Sequence, residues 1–177
     1  LPRPFDTTKG KEYTDDQGDF WKAEGELGIY RSCFTGEQMH YLPEGPQVNT
    51  PYRMTVDRGR LFVVPGGRWA VQNSNPGHVM IFDGEHWTNI KHSYITSKTG
   101  KPALDFMNVA VDPADAEHFF VTSYGTGVFE FQGEELVKHH TPSNSLLTSA
   151  APNAPDQYTR TDGAVFDSEG RLWVENA

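Results

Sequence analysis

One local pattern occurs four times in this chain and restricts the fold more than any other feature. It appears as Tyr13-Thr-Asp-Asp-Gln-Gly-Asp-Phe-Trp21, Val56-Asp-Arg-Gly-Arg-Leu-Phe-Val63, Val111-Asp-Pro-Ala-Asp-Ala-Glu-His-Phe-Phe-Val121 and Phe166-Asp-Ser-Glu-Gly-Arg-Leu-Trp-Val174. Each copy runs from the end of one strand through an Asp and a turn into a second strand. Asp bonds its own backbone two residues on, and Gly supplies the positive φ that reverses a chain, so Asp-x-x-Gly between apolar runs is a hairpin with a mechanism. A bulky pair (Phe20-Trp21, Leu61-Phe62, Phe119-Phe120, Leu172-Trp173) begins the strand that follows.

After each of the first three hairpins comes a second alternating run: Gly28-Ile-Tyr-Arg-Ser-Cys-Phe34, Gly77-His-Val-Met-Ile-Phe-Asp-Gly84 and Gly127-Val-Phe-Glu-Phe-Gln-Gly133. Each leads into a short fourth run, Met39–Leu42, His86–Ile90 or Leu136–His139. Period-2 alternation marks half-buried strands. Four strands per unit, with the hairpin Asp at 15, 57, 112 and 167, describes the blade of a propeller. The expected fold is all-β: a single partial β-propeller domain over 1–177, with blades near 9–46, 52–92 and 104–142 and a partial one over 160–177. The fourth unit stops at Ala177 after two strands, which predicts a fragment of about three and a half four-stranded blades. Its open edge is expected to be closed by further chain or by a second copy in a homo-oligomer, two such fragments making seven blades. An open strand edge is itself a surface that binds strands.

Composition narrows the partners. Fifteen Lys and Arg against 24 Asp and Glu give a net charge of -9, the wrong sign for holding a phosphate backbone, so nucleic acid is not expected. Cys33 is the only cysteine, which excludes an intrachain disulfide framework and a cysteine-based zinc site. No run of 18 apolar residues is present, so no transmembrane helix is expected, and Leu1-Pro-Arg-Pro-Phe5 lacks the pattern of a signal peptide.

Binding is expected on the loops joining second to third strands and one blade to the next, since loops vary where strands cannot. Residues 65–76 carry Arg68, Trp69, Gln72 and Asn73, a set that suits a sugar ring or an anionic group. Trp69 equally suits sealing a blade end. The stretch 91–101 holds Lys91, Tyr94, Lys98 and Lys101 and reads as a solvated, locally basic loop. Tyr124 stands at the turn Ser123-Tyr-Gly-Thr-Gly127, which has no following helix and is read as a tight turn rather than a phosphate cradle. Arg68, Trp69, Asn73, Tyr94 and Tyr124 are the candidate ligand-binding residues. Arg160, Asp162, Arg53 and Asp105 read as salt-bridged channel lining, and 141–161 as a long surface connection.

No catalytic constellation is expected. His139 and His140 are adjacent and face opposite sides of a strand; His78, His86, His92 and His118 have no metal-ligand spacing; and no Gly-x-Ser-x-Gly elbow occurs. No cofactor, metal or catalytic residue is assigned.

The unit Phe166–Val174, and Val121-Thr-Ser-Tyr-Gly-Thr-Gly-Val128 with its downstream Glu130-Phe-Gln-Gly-Glu-Glu-Leu136, resemble the two-component-regulator propeller repeat of Bacteroidetes proteins over about Asp15 to Ala177. Arg60-Leu-Phe-Val-Val-Pro-Gly-Gly-Arg68, Gly77–Gly84 with Trp87, and Val109-Ala-Val-Asp-Pro113 with Tyr124–Gly127 resemble the propeller region of PorZ-like proteins of the type IX secretion system. That resemblance implies an exported, non-enzymatic module in the periplasm or at the outer-membrane surface. It would bind other secretion components, or an anionic glycan or lipopolysaccharide. The other branch of the resemblance implies the periplasmic ligand-sensing propeller of a hybrid histidine kinase, with signalling components as partners. A carbohydrate-active enzyme on the same scaffold is the third alternative. Within residues 1–177 neither the C-terminal β-sandwich that the first branch implies nor the kinase that the second implies is expected.

Overall fold

Residues 12–24, 28–41, 44–68 and 73–177 are described in a computed structural model of the chain. Every sheet is antiparallel within its blade, and the fold is all-β: three four-stranded blades and the first hairpin of a fourth. The first blade is β1 (Glu12–Thr14), β2 (Phe20–Ala23), β3 (Ile29–Ser32) and β4 (Gln38–Tyr41), paired in sequence order. The second is β5 (Arg53–Asp57), β6 (Arg60–Val64), β7 (Val79–Phe82) and β8 (Trp87–Ile90). The third is β9 (Phe106–Val111), β10 (His118–Gly125), β11 (Gly127–Gln132) and β12 (Glu135–His140), and the half blade is β13 (Thr159–Phe166) with β14 (Leu172–Asn176). By compactness the chain falls into two units, the first holding β1–β4 and the second running Gly45–Ala177.

The repeated Asp explains why each hairpin closes where it does. Asp15 Oδ1 accepts the N–H groups of Gln17 and Asp19, Asp112 Oδ1 that of Ala114, and Asp167 Oδ1 those of Glu169 and Arg171. The other carboxylate oxygen takes the side chain six residues on: the indole N–H of Trp21 at 2.8 Å, His118 Nδ1 at 3.0 Å, and the indole N–H of Trp173 at 2.8 Å. One side chain thereby fixes both the turn and a side chain at the start of the returning strand. The second blade departs from the rule, for Val63 has no donor to offer and Asp57 instead accepts from Arg58 Nε at 2.6 Å.

Within Gly45–Ala177 the first strands β5, β9 and β13 are neighbours. The core lies between the second and third blades, where Phe62 of β6 meets Phe119 of β10 at 5.3 Å, Phe119 meets Phe131 at 5.2 Å and Phe106 meets Phe129 at 5.0 Å, all five rings buried. Arg58 and Arg60 close the seam by donating to the carbonyls of Asp112 and Ala116, and Arg60 also reaches Glu117 at 2.8 Å. β10 outlasts its partner β9, and its tail turns to a new one: Tyr124 and Gly125 pair with Arg160 and Thr159 of β13.

One expected loop is a helix. Residues 92–99 form α1 (His92–Thr99), with Ile95 fully buried against the core and Gly100 at φ 67 donating its N–H to the Thr96 carbonyl. Eight residues span too few turns for an apolar stripe to declare itself, and the β-branched Ile95, Thr96 and Thr99 argue against a helix by propensity; burial of Ile95 overrides both. The connection after β12 contains a single helical turn, α2 (Pro155–Tyr158). Among the described residues no helix is long and apolar enough to cross a membrane.

Candidate binding site on the loop face

Two inter-strand connections and the start of β13 converge at one end of the third blade. The β6–β7 connection leaves the sheet at Pro65, turns at Gly66 and Gly67, and presents Arg68. At Gly67, φ is +128, a conformation that disfavours a side chain, and a Cβ would lie 2.6 Å from the side-chain nitrogens of both Asn73 and Asn75 and force both amides to shift. Asn75 Nδ2 donates to the Gly66 carbonyl at 2.6 Å, tying the two arms of the loop together.

Asp105 holds the far arm. It is 1% exposed and sits at φ +47. Its carboxylate accepts the backbone N–H groups of Ser74 at 2.9 Å and Asn75 at 2.8 Å, and that of Asn73 as well. Burial still pushes its carboxyl above the ordinary range despite those three donors. Its carbonyl then receives the Tyr124 N–H at 2.9 Å, so one residue links the β6–β7 loop to the β10–β11 turn. The expectation that Asp105 lines a salt-bridged channel is corrected: it is a buried clamp on backbone donors, and among the described residues no cation pairs with it.

At the turn itself, Thr161 of β13 is buried, donates to the Gly127 carbonyl at 2.8 Å and receives the Ser123 N–H at 3.1 Å. Gly127, at φ +89, would place a Cβ 2.3 Å from the His140 carbonyl oxygen, so the turn and β12 touch backbone to backbone. A register shift between Thr161 and Ala164 makes Asp162 and Gly163 a bulge in β13. Such a bulge re-aims the side chains it contains, and Asp162 meets Arg68 Nη1 at 2.9 Å.

The result is a cluster around one ring. The guanidinium of Arg68 lies 5.3 Å from the centroid of Tyr124, and that of Arg160 lies 5.1 Å from it and 5.6 Å from the ring of Tyr158. Asp162 serves Arg68 and not Arg160, which corrects the expectation of salt-bridged channel lining for Arg160. Arg53 faces Asn108, Trp173 and Glu175 across an open groove of about 420 Å³.

Of the five sequence candidates, Arg68 and Tyr124 are brought together, and Asn73 stands at the base of the same loop. Trp69 lies outside the described residues. Tyr94 is elsewhere: on α1 its hydroxyl accepts the Leu136 N–H at 3.2 Å, at the opposite end of β11 from Tyr124. Six residues of strand separate the two, about 20 Å.

Sequence spacing also missed a second cluster. On one face of the third blade, His118 Nδ1 lies 3.0 Å from Asp112 and its Nε2 lies 2.9 Å from Glu130, while His140 Nε2 lies 2.7 Å from the other oxygen of Glu130. His118 and His140 are 22 positions apart in the chain. Antiparallel pairing of β10, β11 and β12 is what brings them to one carboxylate, a relation that ligand spacing along a single strand does not reveal.

No protein-family model matches the chain. No curated protein matches it either. Among solved structures it is similar to PorZ of Porphyromonas gingivalis, described as an essential bacterial surface component of the type-IX secretion system. The likeness has a TM-score of 0.77 at 25% identity and covers 92% of this chain and 22% of that one. The chain therefore spans well under a third of the length of the protein it resembles.

Proposed function

We propose that this chain is a propeller segment of a PorZ-like surface component of a type IX secretion system, exported to the periplasm or the outer-membrane surface, and that it works by binding and not by catalysis. The observation that carries this reading is the likeness to PorZ over 92% of the chain at 25% identity. Its own geometry adds where binding would occur. Arg68, Tyr124 and Arg160 gather cations on the loop face of a chain whose net charge is -9, so an anionic glycan or lipopolysaccharide, or an acidic surface of a partner protein, would be drawn to that end. The titratable cluster that does converge, Asp112–His118–Glu130–His140, is paired within itself across a sheet face, which supports a bracing role over a reactive one.

The test immobilises the full chain and measures capture of purified anionic lipopolysaccharide against a neutral polysaccharide, and of purified secretion-system surface proteins. Replacing Arg68 and Tyr124 together by Ala is expected to weaken capture about tenfold, the worth of one charge-assisted contact, with the thermal midpoint unchanged. Tyr94→Ala is expected to leave capture intact because Tyr94 lies at the other end of the blade. Turnover of any polysaccharide, or capture indifferent to Arg68 and Tyr124, would reject the reading.

A further inference from the structure

We infer that Arg160 is the anchor of an oxyanion-binding site on the loop face, its ligand a carboxylate or phosphate group, with Asp162 acting as a built-in competitor at the neighbouring Arg68. This rests on the reading of the loop face as the binding face and names the chemistry it would recognise.

Arg160 is held by its backbone and by two rings, and among the described residues no carboxylate is paired with it. It pairs with Tyr124 in the sheet, and its carbonyl accepts the Asn176 side-chain amide and the Ala177 N–H, each at 3.0 Å. Its guanidinium rests against two rings, Tyr124 and Tyr158. Its Nε is buried without an acceptor, alone in this among the buried side-chain polar atoms of the described residues. Arg58, Arg60, Arg68 and Arg171 each hold a carboxylate at 2.6–2.9 Å. Arg160 has none. A guanidinium has five donors and cannot shed its charge, so the burial of an unmatched Nε–H is a cost that an anion at the exposed edge of the same guanidinium would offset.

The rings define what kind of acceptor fits. A guanidinium packed on aromatic faces keeps its N–H edge available, and that edge matches two oxygens of a carboxylate or phosphate in a forked contact. The neighbouring Arg68 already takes such a group from Asp162 at 2.9 Å. Two guanidiniums thus border Tyr124, and Asp162 pairs with one of them, leaving the other for an outside anion. Because Asp162 sits in a bulge anchored by Thr122, which donates to the Asp162 carbonyl, its side chain is free to turn without moving the strand. An incoming anion large enough to reach both cations would displace it.

The experiment titrates the full chain with inorganic phosphate, glucose 1-phosphate and glucuronate, with glucose as the neutral control, following the Arg160 Nε–H resonance and the binding heat. A saturable shift with the anions and none with glucose is expected, weakening as salt is raised. Arg160→Gln is expected to abolish it. Arg160→Lys, which keeps the charge and loses the fork, should weaken it about tenfold, and Asp162→Asn should tighten it several-fold by releasing Arg68. Backbone amide spectra of β10 and β13 establish that each variant is folded, and if Arg160→Gln is not, Arg160→Lys decides. A response to the phosphates alone assigns a phosphoryl source, and one to glucuronate alone a carboxylate source; either supports the site. Equal anion binding by the folded Arg160 variants, or an equal response to glucose, overturns it. Lipopolysaccharide capture that depends on Arg68 and Tyr124 in a chain that ignores small anions would remove this site and leave the proposed function standing. Anion binding at Arg160 without capture of lipopolysaccharide or partner would do the reverse.

Discussion

The hairpin Asp is where a single residue does most to set the fold, and its ionisation should be visible in stability. In Asp167 the indole N–H of Trp173, then the Arg171 backbone and guanidinium, hold the carboxyl far below its ordinary 3.8, at about 2. Asp15 is lowered in the same sense, first by Trp21. A carboxyl whose folded pKa is depressed stabilises the fold fully above its unfolded value and loses that contribution as pH falls through the folded value. The affected window is therefore from about pH 4 down to pH 2. Asp167→Asn keeps an acceptor for the turn but removes the charge, so the thermal midpoint measured between pH 5 and 2 should fall less steeply in the variant than in the parent. Parallel curves would deny Asp167 this part in the acid limb. These Asp residues were legible in the sequence because their chemistry is local, with partners two to six residues away. Asp105 was not, because its partners are loop amides some thirty residues distant and only the closed loop makes them donors to one carboxylate.

At the scale of elements, the third blade carries a brace that couples its strands to the next one. The ring of Phe120 lies 4.9 Å from His118 and 6.1 Å from His140 on its own sheet, and 6.0 Å from Phe166 of β13. Burial is the largest single influence on His118 and pulls its pKa down, but the bonds to Asp112 and Glu130 together outweigh it and leave His118 above its ordinary 6.5. Glu130 shows the mirror image: burial raises it most, and the two imidazoles more than compensate, lowering it. An imidazolium donates from both nitrogens, which is what two flanking carboxylates require. A His with a raised folded pKa stabilises fully below its unfolded value and loses that contribution as pH rises through the folded value, so the blade should weaken from pH 6.5 upward. His118→Gln should flatten the thermal midpoint between pH 6 and 9 at a cost of about 1 kcal/mol at pH 6, since the group is partly exposed and solvent screens it. A variant that retains the parent's alkaline decline would place the titration elsewhere. The strands of this brace were legible from alternation, whereas their register was not, and register decides which side chains share a carboxylate. Helix α1 was hidden for the related reason that Ile95 declares itself only through what it packs against.

At the scale of the whole chain, four hairpins that share an Asp at the turn yield unequal blades. Among the described residues of the first unit only Asp19 is buried, while Gly45–Ala177 buries the aromatic core around Phe62, Phe119 and Phe129. The first blade relies on a polar and aromatic stack instead. Asp19 accepts from Arg31 and from the Phe34 N–H, Arg31 lies 5.0 Å from the ring of Trp21, and Trp21 stacks on Tyr41 at 5.7 Å. Apolar burial is the main source of stability and exposed contacts add little, so the two units should not open together. The repeat could not foretell this, because it records the closure of each hairpin and says nothing of how much apolar surface the neighbouring blade removes from water. Hydrogen exchange followed amide by amide should find β1–β4 exchanging about a hundredfold faster than β9–β11 under native conditions. Asp19→Ala should widen that gap by speeding β1–β4 alone. Uniform protection across all four hairpins, or a gap that Asp19→Ala leaves unchanged, would mean that the first blade does not depend on its own stack.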